Sequence, residues 1–110
     1  MAGISVDVSV TDNSGYFLAA LPEQIAIALE AIGLTAEGYA KDLCPVDTGR
    51  LRNSISHARD DEAAYIGSNV EYAPYIELGT SRMKERPFLR PAASDHAEEY
   101  KQIAYAALTE

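Results

Sequence analysis

Residues 4–11, ISVDVSVT, alternate strictly, with Ile4, Val6, Val8 and Val10 on one side and Ser5, Asp7, Ser9 and Thr11 on the other. A period of two built largely from β-branched residues predicts a half-buried strand, and the turn formers of DNSG close it. From Pro22 the period changes. Ile25, Leu29, Ile32, Ala36, Tyr39 and Leu43 step by three and four, which places them on one face of a long helix. Pro22 suits the first helical turn and Glu23 the positive end of the helix dipole. Pro45 ends the helix, because the residue before a proline avoids the helical region. Gly33 and Gly38 each weaken a helix by about 1 kcal/mol, and their presence predicts a kink or a close approach.

In the second half, RLRNSISHA sets Leu51, Asn53, Ile55 and His57 against Arg52, Ser54, Ser56 and Ala58, which predicts a second strand. RDDE makes a charged connection and AAYIGS a short returning strand. APYIEL with Gly79 behind it reads as a single helical turn with a glycine cap. Thr80 to Pro87 has no apolar periodicity and is a basic loop, after which Phe88 and Leu89 return to the core. From Pro91, the residues Ala93, Ala97, Tyr100, Ala104, Ala107 and Leu108 form the apolar face of a C-terminal helix. The expected architecture is α+β: one domain over residues 1–110, with a small antiparallel sheet packed against a long N-terminal helix and a C-terminal helix.

Charge narrows the function. With 9 Lys and Arg against 17 Asp and Glu, the net charge is −8. That disfavours a general nucleic-acid binder, which needs clustered cations against phosphate. The distribution is uneven: residues 1–40 hold no Lys or Arg, whereas Arg82, Lys84, Arg86 and Arg90 crowd into one short segment. Such asymmetry marks either an interaction surface or a solvated loop. Cys44 is the only cysteine, so neither an internal disulfide nor a thiolate metal cluster is available; it reads as a small packing residue. The opening MAGISVDVSVTDNSG has neither the basic flank nor the apolar run of a secretory signal, and no stretch reaches the roughly 20 apolar residues of a membrane span. A soluble protein made in a reducing cytoplasm, with no membrane partner, is expected.

Asp47-Thr48-Gly49 matches the tripeptide around the catalytic aspartate of aspartic proteases, which need two such carboxylates sharing a proton. Here it follows a long helix and precedes Arg50, in a setting unlike that nearly all-strand fold. The same residues, Asp47-Thr48-Gly49, make a turn: Pro45 ends the helix, the Asp47 carboxylate accepts backbone N–H groups in an Asx-type turn, and Gly49 supplies a permissive backbone. His57 and His96 carry no motif tying them to a nucleophile or a metal, and neighbours on one strand such as Ser54, Ser56 and His57 do not converge. Both histidines are expected to be solvated surface residues. GTSRMK lacks the spacing of a phosphate loop. No catalytic residue, metal or cofactor is expected.

PVDTGRLRNSI, then YIGSNVEYAPYIELGTSRMKERPFLRPA, then a charged C-terminal helix together resemble the gene-product-ten-like tail-component or neck proteins of long-tailed bacteriophages. Three separated blocks in the right order carry that resemblance. It implies a virion structural protein rather than an enzyme, assembled in the host cytoplasm and joining or completing the interface between head and tail. It further implies a ring of six or twelve copies, with the head connector and the tail tube or terminator proteins as partners. DNA in the lumen is an incidental contact. The expected contact residues are Tyr72, Tyr75, Glu77, Thr80, Arg82, Lys84, Arg86 and Arg90, with Pro45, Asp47, Thr48 and Gly49 as the structural turn. The alternatives are a cytoplasmic nucleic-acid-binding module and a hydrolase using Asp47.

Overall fold

The computed structural model describes residues 3–8, 21–45, 49–61 and 63–108. Val10, the DNSG turn, Asp47 and Thr48 lie outside them. Strand β1 (Ile4–Val8) buries its apolar side progressively towards Val8 and exposes Ser5 and Asp7, as the alternation requires. Helix α1 (Pro22–Leu43) begins with Pro22 in its first turn, and Leu21 N–H donates to Gln24 Oε1 at 3.0 Å. It stops at Cys44, whose backbone is extended ahead of Pro45. The buried stripe of α1 is Ala28, Leu29, Ile32, Gly33, Ala36 and Ala40. That stripe is rotated from the expected one: Ile25 and Tyr39 are only partly covered, and Leu43 is exposed. The alanines decide it, since they let the sheet approach closely on one flank.

The expected strand over RLRNSISHA divides. Arg50–Ser54 forms a short helix, α2, and only Ser56–Arg59 forms β2. Gly49, at φ 77°, turns the chain into α2, and a left-handed backbone of this kind costs glycine nothing. Leu51 and Ile55, four apart, are both buried, so this apolar pair obeys the helical period as well as the strand one. Ser54 Oγ seals the helix end by donating to the Leu51 carbonyl at 2.6 Å. β3 (Ala64–Ser68) pairs antiparallel with both other strands, giving the order β1-β3-β2 with Ile66 opposite Val6 and His57.

α3 (Ala73–Leu78) is the expected single turn and ends at Gly79, φ 77°. The C-terminal helix is two: α4 (Leu89–Ser94) and α5 (Ala97–Leu108), separated at Asp95 and His96. Beyond the break Ala97 is exposed, although spacing put it in the apolar stripe, and Ala92 is buried instead. Tyr100 lies in the core, where its hydroxyl donates to the Ala92 carbonyl across the break. α1 packs against the sheet and against α4 and α5, and α4 also packs against β1 and β3. Phe88, Leu89, Ile32, Ile66 and Tyr100 fill the space between, all fully buried.

Candidate interaction surface

The first two sequence blocks meet. Arg50, just past the Pro45 turn, reaches Glu71 at 3.2 Å and lies 5.5 Å from the centre of the Tyr72 ring. This ties the first block to the second. Tyr72 is half-buried against the core and Tyr75 points outward, 58% exposed.

Within the second block, a buried carboxylate joins its two ends. Glu77 has no exposed surface, so it is not a contact residue for a partner, contrary to expectation. Its Oε1 accepts the backbone N–H groups of Phe88 at 3.0 Å and Leu89 at 2.8 Å, and its Oε2 accepts the backbone N–H and Nε–H of Arg90, each at 3.0 Å. The first N–H groups of a helix have no partner within it. At α4 those groups belong to Phe88, Leu89 and Arg90, and the next residue, Pro91, has none. One carboxylate therefore satisfies the whole start of α4. Burial pushes the Glu77 carboxyl up, but the Leu89, Phe88 and Arg90 N–H groups and the guanidinium outweigh it and hold it below its ordinary value. An acidic residue inside the apolar run YIEL was the available signal for this role.

The loop between these anchors is fixed. Arg86 N–H donates to the Ile76 carbonyl at 2.8 Å, and Thr80 and Met83 exchange backbone hydrogen bonds at 2.9 and 3.3 Å. A Cβ on Gly79 would lie 2.8 Å from Glu85 N and 3.0 Å from Met83 O, so the loop packs directly on the glycine backbone. Thr80 Oγ1 accepts the Arg82 N–H at 3.2 Å. Folded back on Gly79 in this way, the loop presents Arg82 and Lys84 at the surface beside the end of α3, where Tyr75 and Leu78 are both more than half exposed. Arg86 is also exposed. Arg90 is shared: its guanidinium bonds Glu77 and reaches Glu85 at 3.4 Å, leaving the side chain 50% exposed. The result is a rigid basic corner with an apolar centre.

The histidines are not solvated surface residues. His57 points from β2 towards α1 between two carboxylates, with Nδ1 2.8 Å from Glu37 and Nε2 2.7 Å from Glu30. Gly33 permits this, since a Cβ there would meet the His57 ring at 3.0 Å. The Glu37 hydrogen bond raises the His57 pKa, burial opposes it, and Glu30 adds to the rise. His96 stacks on the Tyr39 ring, centroids 3.6 Å apart. Neither His57 nitrogen meets a serine; Ser54 is engaged with Leu51 and with Ser68 Oγ at 2.6 Å. Among the described residues no group of His, Cys, Asp and Glu is arranged to hold a metal, and no helix is long and apolar enough to cross a membrane. Cys44 is buried, and burial pushes its thiol pKa up, with Arg52 and Arg86 opposing; a protonated, covered thiol is unreactive.

Residues 5–79 match the family model described as bacteriophage HK97-gp10 tail component. No curated protein and no solved structure gives a significant match.

Proposed function

Because the chain belongs to the HK97-gp10-like family of bacteriophage tail components, we propose that it joins or completes the head–tail interface of the virion as a ring of subunits. The observation that supports this is the fixed basic corner on an acidic chain: Arg82 and Lys84 beside the end of α3, where Tyr75 and Leu78 are exposed, on a protein of net charge −8. Aromatic and cationic side chains carried on a fixed backbone suit a protein interface, because the loop need not be ordered on docking. Opposite charges on one subunit favour a head-to-tail contact, which closes into a ring when its rotation permits. Six or twelve copies fit a position between the head connector and the tail tube or terminator, the partners in this reading. DNA passing through the lumen would meet a predominantly acidic subunit, which disfavours tight binding.

The test is the Arg82→Glu, Lys84→Glu double variant, supplied to a phage lacking its own copy. Both side chains are exposed, and surface changes of this kind usually alter stability by less than about 0.5 kcal/mol. The protein is expected at normal levels and folded, with full heads and finished tails that fail to join, counted by electron microscopy. Wild-type numbers of joined particles overturn the proposal.

A further inference from the structure

The basic corner needs a complementary surface, and the outer side of α1 has the matching character. Ile27 and Leu34 are 63% and 59% exposed, and no described element covers them. Seven residues apart, they share a face and stand about 10 Å from each other along the axis. Ala31, between them on the same side, is small, so the pair flanks a shallow notch. Gly38 continues the stripe. A Cβ at Gly38 would meet nothing within 4 Å among the described residues, so none of them explains a residue that costs a helix about 1 kcal/mol; close approach by another molecule would.

The rim of the stripe is acidic. Glu23 and Glu30 are exposed along it, and Lys41, in the last turn of the same helix, is held by Glu37 at 3.1 Å. Glu30 also faces His57. A partner for this face must present apolar side chains about one helical turn apart, flanked by cations. Tyr75 and Leu78, three apart on α3, with exposed Arg82 and Lys84 on the loop that packs on Gly79 at its end, have that form. Ile27, Leu34, Tyr75 and Leu78 are all exposed within the subunit, so its own corner does not fill the notch.

We infer that the outer face of α1 from Ile27 to Gly38 is the seat for the Tyr75–Leu78 corner of a neighbouring copy of this chain. This rests on the ring reading and names the two surfaces that would build it. Arg82 and Lys84 meet the Glu23 and Glu30 rim, and Leu78 enters between Ile27 and Leu34. The notch is small beside the roughly 800 Å² per partner of a stable protein interface, so the contact is weak for one pair and accumulates when a ring closes on a template.

Cysteine cross-linking tests it in assembled particles. Phage lacking its own copy are complemented with a chain carrying Leu34→Cys and Leu78→Cys, and the particles are treated with a short bis-maleimide. A second chain with Ile27→Cys and Tyr75→Cys guards against one badly placed pair. The expected product is a ladder of dimer, trimer and higher bands from either double variant, and no oligomer from any single variant. Dimers from Leu34→Cys alone would mean that like faces meet and would overturn the assignment. So would joining Leu78→Cys to a different virion protein, or joined particles that hold several copies yet cross-link with neither pair. Particles holding a single copy would instead remove the ring reading itself, so the two failures are distinguishable.

Discussion

Glu77→Ala should destabilise the isolated subunit more than almost any other polar substitution. The change removes the acceptor for three backbone N–H groups, two of them in fully buried residues, and for the Arg90 Nε–H. A hydrogen bond to a charged group contributes about 1.5–3 kcal/mol, and these bonds share one carboxylate and do not add independently. Breaking a buried ionic arrangement from one side typically costs about 3–5 kcal/mol. Arg90 is half exposed and recovers water, so the lower part of that range is the better expectation. Against a total stability of about 5–15 kcal/mol for a domain, this is a substantial loss. With a urea dependence of about 1–3 kcal/mol per molar for a small protein, the midpoint should fall by roughly 2 M.

Glu77→Gln separates the parts. The retained amide oxygen can still serve Phe88 and Leu89, but the amide nitrogen then faces the N–H and Nε–H of Arg90, donor against donor. Its loss should be smaller than that of alanine yet clearly measurable. The carboxyl is held below its ordinary value in the folded state. Its contribution is therefore present above the unfolded pKa and disappears as pH falls through the folded one. Urea titrations from pH 7 down to 3 should show wild type losing part of its stability on the acid side, with the glutamine variant lacking that part. A loss below about 1 kcal/mol for alanine, measured at neutral pH with an unchanged slope, would refute the clasp.

Phe88→Ala should cost about 3–5 kcal/mol in the same assay, because the ring is wholly buried. His57 gains its proton more readily in the fold through Glu37 and Glu30; its contribution is full below about pH 6.5 and is lost as pH rises through the raised folded value. The wild-type urea midpoint should accordingly decline from pH 6 to 9 more than that of His57→Gln. Gly33→Ala must push on the His57 ring and should destabilise, whereas Gly38→Ala enters open space and should stabilise by about 0.4–1 kcal/mol. Equal effects at the two glycines, by thermal or urea unfolding, would contradict the packing described.

The elements with a strong local period were legible in the sequence. The Ile4 strand, the Pro22–Leu43 helix, the returning strand and the capped turn at Gly79 each had pattern and punctuation in agreement. Arg50–Arg59 was not legible, because Leu51 and Ile55 are four apart and suit both a helix and a strand, and a positive-φ glycine decided between them. The break at Asp95 and His96 carries neither proline nor glycine. It arises from where Tyr100 and His96 find their partners, which is tertiary information. Glu77 was misplaced for a related reason. Its exposure depended on whether residues eleven to thirteen positions later would supply donors, and no local rule reports that.

The same long reach joins the family segment to the C-terminal helices. The matched residues 5–79 contain the Glu77 carboxylate but none of the N–H groups that satisfy it, which lie at 88–90. A buried carboxylate without those donors would carry a large desolvation cost, so α3 keeps its place only when the chain continues through α4. Residues 80–87 are consequently a strap pinned at both ends, by Gly79 and Ile76 on one side and by Glu77 on the other. Its cations can vary in identity without disturbing the pins, because neither pin uses the side chain of Arg82 or Lys84. Stability is thus concentrated in the ends of the strap and charge in its middle, the division expected where one segment must both hold a fold and face a partner.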